Sequence, residues 1–453
     1  MKAVTAKRRP GGASKAMAAR SASKVLTTSS GVRVTAIQRG VIPLVAVRLL
    51  VAAGSTTDPV GKDGLSDFTA RLMRRGTKKH SADELNEAVE FVGASLSLGS
   101  QEDYLTLSIS TSAEHFEDML EVLAEVARTP SFPERELQIE KARAIAQFAN
   151  DLDDPALIAD RELTRAMYGA HPYGHDVGGS ARTVKTFTRE DLVRFHRERI
   201  GPKVAWLTVV GPLDPERVTA AADRVFSGWT GGPDAPQWPP EVTQIAPVIR
   251  VVDKPDQTQS QVRFGGPGFA KVLTPGYFPS ILMNVALGAG FTSRLVNEIR
   301  VNRGLSYGAS SHFDALKTAG SFQVSSFTKT ETTGELVQVA LDEVEKMRKG
   351  GLTAPELKNA QTYLRGLYPL RTETNEALAA AIGDMALYGL GDDWVEQYRD
   401  RVGAVTLKQA AEAARAYCFA RKPALVVVGN AAKVVKQLKK YGKPEVVKVS
   451  ELE

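Results

Sequence analysis

Asp67 and Arg71 stand four residues apart in the stretch Gly64-Leu65-Ser66-Asp67-Phe68-Thr69-Ala70-Arg71-Leu72-Met73-Arg74-Arg75-Gly76-Thr77. Leu65, Phe68, Leu72 and Met73 form one apolar stripe at helical spacing behind a glycine turn. The stretch therefore predicts a helix, with Asp67, Ala70 and Arg71 on the opposite stripe. An acid one turn before a base forms an ion pair of a few tenths of a kcal/mol, about 0.3. His171 and His175 are also four apart, but Pro172 and Gly174 break any regular helix between them. That pair reads as a turn and not as a metal site. His80, His115, His196 and His312 are scattered and read as surface or satisfied core positions. Gly288-Ala289-Gly290 lacks the Gly-Lys-Ser/Thr continuation of a phosphate loop and reads as a helix turn. The single Cys418 excludes an intrachain disulfide and a cysteine zinc cluster, and reads as a small buried hydrophobe.

The elements that must position these residues alternate between strand and helix. Strands are expected at Val32–Ala36, Val45–Ala53, Leu96–Gly99, Tyr104–Ser110 and Lys203–Val210, the third and fourth as an antiparallel pair. Helices are expected near Ala82–Val92, Ala113–Ala127, Pro133–Asn150, Ala156–Met167 and Arg189–Glu198. A Gly- and Pro-rich segment, 229–245, reads as an interdomain linker. After it come strands at Val248–Val252, Gln261–Phe264, Tyr307–Asp314 and Gly320–Thr328. Helices over Tyr277–Leu287, Ser293–Val301 and from Gly334 and Ala354 onward complete the second half.

The order of elements repeats. Thr188-Arg189-Glu190-Asp191-Leu192 leads through a helix and a strand to Val209-Val210-Gly211, and Thr406-Leu407-Lys408-Gln409-Ala410 leads likewise to Val427-Val428-Gly429. Both spans run 23 residues from Thr to Gly, with Thr in the N-cap position. The fold class expected is α+β: two homologous domains, 25–228 and 246–453, each a largely antiparallel sheet with helices packed on one face.

Composition narrows the function classes. A hydrophobic fraction of 43% and a charged fraction of 24% are ordinary for a globular chain, and no run has the length of a membrane helix. The net charge of +6 is concentrated in residues 1–24, which carry seven Lys or Arg and no acid. Without them the chain is at −1, so no folded nucleic-acid surface is implied. The basic tail is expected to be disordered. It lacks the apolar core of a secretory signal, and its composition is also that of a mitochondrial transit peptide. The compartment expected is the cytoplasm, or the mitochondrial matrix if the tail is a transit peptide.

The frame around Asp67 resembles the insulinase/pitrilysin family of zinc peptidases, whose corresponding helix carries His-x-x-Glu-His. His171-Pro172-Tyr173-Gly174 followed by Thr188–Leu192 and Phe195-His196 is similar to a further family segment. So are Leu287-Gly288-Ala289-Gly290-Phe291-Thr292-Ser293-Arg294-Leu295 and Glu298-Ile299-Arg300-Val301-Asn302-Arg303-Gly304-Leu305-Ser306-Tyr307, and the set keeps the family's order. The resemblance places the first zinc histidine on Asp67, the general-base Glu on Ala70 and the second histidine on Arg71. The third ligand, a Glu, falls on Gln147.

Those replacements remove the family's chemistry. Asp67 is a harder ligand than imidazole, Ala70 has no base, and Arg71 fixes a cation where Zn²⁺ would sit. Gln147 is a poor zinc ligand. The resemblance thus implies a chain with no catalytic residue and no cofactor of its own, its zinc being held by a partner subunit. It also implies that Arg300 and Tyr307 are retained as peptide-binding residues, the fork of Arg and the phenol donating to the substrate's peptide group. The family includes such pairs, among them mitochondrial processing peptidase and bacterial two-gene peptidases. The partners expected are therefore an active zinc-bearing subunit and an extended peptide added to a sheet edge. A structural core protein, or an autonomous peptidase using Asp67, would be the alternatives.

Overall fold

The computed structural model describes residues 22–242, 247–272, 274–419 and 422–452. The tail to residue 21 and residues 243–245 of the expected linker lie outside the described residues. Within the described part, strand β1 (Ser23–Thr27) begins inside the segment expected to be tail, because it pairs with β2 (Arg33–Gln38) as an antiparallel hairpin.

The first sheet adds β3 (Leu44–Val51), β4 (Ser95–Ser100), β5 (Leu105–Ser112) and β6 (Ala205–Gly211), in the order β1-β2-β6-β3-β5-β4. The second holds β7 (Ile249–Asp253), β8 (Gln259–Pro267), β9 (Ala309–Ala315), β10 (Gly320–Lys329), β11 (Ala424–Gly429) and β12 (Glu445–Lys448), in the order β12-β7-β11-β8-β10-β9. The repeat is visible in three dimensions. The strands ending in Val-Val-Gly, β6 and β11, take the same place in each sheet, parallel to one neighbour and antiparallel to the other. The helices before them start on matching capping boxes, Thr188 with Asp191 and Thr406 with Gln409. The outer strands β1 and β12 break the symmetry, β1 being antiparallel to its neighbour and β12 parallel.

Burial follows the pattern of each strand. In β5, Leu105, Leu107 and Ile109 are buried and alternate with half-buried Thr106, Ser108 and Ser110. Helices of the same half cover the apolar face. The polar face is not left to water: the Asn375–Tyr388 helix of the second half packs on β3 and β6, Ala379 against Ala46 and Val210. Ser110 Oγ donates to Glu376 Oε1 at 2.7 Å there. The exchange is reciprocal. The Pro155–Tyr168 helix of the first half packs on β8 and β11, with Ile158 and Ala159 against Val252 and Val428. Arg250 pairs with the buried Glu162 of that helix at 2.9 Å, and Arg263 with Asp160 at 2.5 Å. Each half thus completes the core of the other. Among the described residues no helix is long and apolar enough to cross a membrane.

Candidate functional site

The helix predicted around Asp67 forms over Leu65–Met73. Gly64 enters it in the left-handed region (φ 94°), and the Asp58 side chain caps it, accepting from the N–H groups of Gly64 and Ser66 at 2.7 Å each. Burial pushes the Asp58 carboxyl well above the usual range, against the pull of those two bonds. Loop 178–179 lies hard against this entry: a Cβ on Gly179 would come within 2.1 Å of the Asp63 carbonyl oxygen. Asp67 and Ala70 are as buried as the apolar stripe opposite them, and Arg71 alone in the helix is exposed. The stripe bearing Asp67 therefore faces protein, because the 176–179 loop covers it.

Arg71 Nη2 lies 2.6 Å from Asp67 Oδ2. The contact is a close charge pair one helical turn apart. Burial raises the Asp67 carboxyl above its ordinary value, Arg71 pulls it back, and Asp176 adds a smaller upward push. Gly178 sits between the two acids, its Cβ position 3.4 Å from Asp176 Oδ1 and 4.0 Å from Asp67 Oδ2. Arg161 bridges Asp176 (2.5 Å) and Asp151 (2.7 Å), and Asp151 accepts from the Gln147 amide at 2.6 Å. Arg75, just past the helix, pairs with the buried Glu140 at 2.7 Å and so ties it to the Glu134–Asp151 helix that carries Gln147. The positions the resemblance assigns to three zinc ligands and a base are thus occupied by an acid paired with a guanidinium, a methyl group and an amide bonded to an acid. This donor set does not fit Zn²⁺, which takes deprotonated sulfur, imidazole or carboxylate ligands.

Arg300 and Tyr307 are brought together at a separate place. The expected helix over Tyr277–Leu287 is α-helical over Tyr277–Asn284 and widens into a π-turn, Val285–Ala289. The next helix likewise runs from Arg294–Val296 into a second π-turn, Asn297–Asn302, which holds Arg300. Such turns rotate the side chains that follow and recur at functional positions. Gly288 lets the first turn lie on β9, since a Cβ there would meet the Ser311 nitrogen at 2.5 Å. The Arg300 guanidinium sits 5.4 Å from the Tyr307 ring centroid and 5.5 Å from that of Phe291. Tyr307 is 82% and Phe291 80% exposed. Tyr307 precedes β9, the edge strand of the second sheet.

A third set, centred on Asp103, carries no signal in the sequence. Its buried carboxylate accepts from Tyr173 Oη (2.6 Å), Tyr388 Oη (3.0 Å) and the Lys317 backbone N–H (2.8 Å), joining the two halves. Burial raises the Asp103 carboxyl, and the three donors oppose that rise. Tyr173 comes from the His171–Gly174 turn. There His171 Nδ1 accepts from the Tyr173 N–H at 3.1 Å and Nε2–H donates to the Pro240 carbonyl at 2.9 Å. Both ring nitrogens are occupied by hydrogen bonds, so the ring is a strut of the turn and of the segment after it.

Comparisons with known proteins match both halves of the chain. The model of "Insulinase (Peptidase family M16)" matches residues 33–180, and that of "Peptidase M16 inactive domain" matches residues 186–364. An uncharacterized zinc protease of Streptomyces coelicolor is 25% identical over 83% of each chain, and one of Bacillus subtilis 22% identical over 86% of this chain and 95% of that one. The crystal structure of a peptidase M16 inactive domain protein from Pseudomonas fluorescens superposes with a TM-score of 0.85. It is 25% identical and covers 90% of this chain and 98% of that one. A protease from Helicobacter pylori shares the fold at a TM-score of 0.83 and 20% identity, covering 90% and 99%. With both halves matched in order, the chain belongs to the insulinase (peptidase M16) family.

Proposed function

We propose that this chain is the non-catalytic subunit of a heterodimeric insulinase-type peptidase. It supplies Arg300, Tyr307 and half of the proteolytic chamber to a partner that holds the zinc and the general base. The observation that carries this is the contrast between the two sets. Arg71 neutralises Asp67 where the family places its metal, while Arg300 and Tyr307 stand side by side at the surface. The adjoining edge of β9 suits an extended peptide, whose main-chain groups would continue the sheet while Arg300 and Tyr307 donate to a carbonyl. Both subunits would share the compartment of the active partner, the cytoplasm in the simplest case.

The test is purification of the C-terminally tagged chain from its native cells, followed by zinc analysis and a peptide-cleavage assay. The expected result is an equimolar family partner bearing His-x-x-Glu-His, one zinc per heterodimer, and cleavage lost on Arg300→Ala or Tyr307→Phe. Recovery without zinc or a peptidase would favour a structural core protein. Stoichiometric zinc and cleavage by the lone chain would refute the assignment.

A further inference from the structure

We infer that Phe291 is a positioning residue for Arg300 and the wall of an apolar subsite for the peptide. This rests on the proposal that Arg300 and Tyr307 bind peptide. The Arg300 guanidinium lies over two aromatic rings, Phe291 at 5.5 Å and Tyr307 at 5.4 Å, both within cation–π reach. Among the described residues no carboxylate pairs with it. The neighbouring acid, Glu298, is taken by Arg303 at 2.7 Å and Asn302 at 2.8 Å. A guanidinium engaged by ring faces and by no carboxylate keeps N–H donors for a planar acceptor, which is what a peptide carbonyl presents.

Phe291 and Tyr307 are 80% and 82% exposed beside that cation. Single exposed apolar residues are ordinary, but two exposed rings set against one guanidinium without an acid partner form a surface suited to a ligand. The chemistry recognised is an extended peptide with a main-chain carbonyl on Arg300 and an aliphatic side chain on the open face of Phe291. Because Phe291 sits on the loop between the two π-turns, its ring touches Arg300 without belonging to the same helix.

The experiment uses the full chain and two fluorescein-labelled, amidated Ser/Ala peptides that differ only in a central Leu or Ser, read by fluorescence anisotropy. Wild type should prefer the Leu peptide. Phe291→Ala should weaken it about two- to five-fold and erase the preference, while Phe291→Tyr should keep both. Arg300→Ala should weaken both peptides alike. Unchanged affinity and preference in Phe291→Ala, with binding lost in Arg300→Ala, would overturn the role of Phe291 and leave the peptide-binding proposal intact. If wild type binds neither peptide, the peptide-binding proposal fails and the subsite with it. The clamp is read without peptide by ¹⁵N relaxation of the Arg300 Nε–H. Greater motion in Phe291→Ala is expected, and unchanged motion would overturn it.

Discussion

Replacing Arg71 by Ala would remove the cation that faces the buried Asp67. Breaking a fully buried ion pair costs about 3–5 kcal/mol, whereas surface pairs contribute about 0.2–1. The pair here is mixed, the Arg71 side chain being 44% exposed and that of Asp67 10%. Water can still reach the guanidinium side, so a loss of about 1–3 kcal/mol at neutral pH follows. The pH dependence fixes the cause. Burial already holds the Asp67 carboxyl above its ordinary value in the folded chain, and losing Arg71 must raise it further. A carboxyl raised on folding favours the folded state most below its unfolded pKa, about 3.9, and that advantage drains away as pH rises through the folded pKa. The variant should therefore approach wild type near about pH 4 and fall furthest behind it near about pH 7. Urea unfolding followed by circular dichroism at both pH values measures this. Adding Asp67→Asn should return most of the loss, because the stranded charge is gone. Equal stability of Arg71→Ala and wild type at neutral pH would refute the view that Arg71 balances Asp67.

Three further outcomes follow from the structure. Asp103→Ala strands the hydroxyls of Tyr173 and Tyr388 and the Lys317 N–H, at about 1–3 kcal/mol each before water enters. It should lower the urea midpoint far more than Asp103→Asn, which still offers an acceptor. Because the Asn375–Tyr388 and Pro155–Tyr168 helices are exchanged between the halves, neither half should fold alone. Co-expressing two fragments cut within the linker should yield a single complex on gel filtration. Burial pushes the Cys418 thiol up to about 12, so it should resist a thiol reagent at neutral pH and react stoichiometrically on unfolding in urea.

The sequence alone determined the two-fold repeat, the class of the fold and the side-chain types that stand where the resemblance assigns the zinc set. Each rests on local signals: period, turn residues, caps, and side chains that lack a ligand atom whatever surrounds them. Ala70 has no base in any fold. The same local signals placed most elements within a few residues, since alternation such as that of β5 is set by side chains within the strand. Tertiary structure decided the rest. The polar faces of the sheets carry no mark of the helix that will cover them, because the covering helix lies in the other half of the chain. The Leu65–Met73 helix looked amphipathic, yet the 176–179 loop closes over its second stripe. Helical spacing does not record the π-turns, of which the first is seated on β9 at Gly288 and the second holds Arg300 beside Phe291 and Tyr307. Asp103 shows the limit most clearly. An acid in a loop becomes the junction of two halves only when donors distant in sequence converge on it, and convergence is a property of the folded chain.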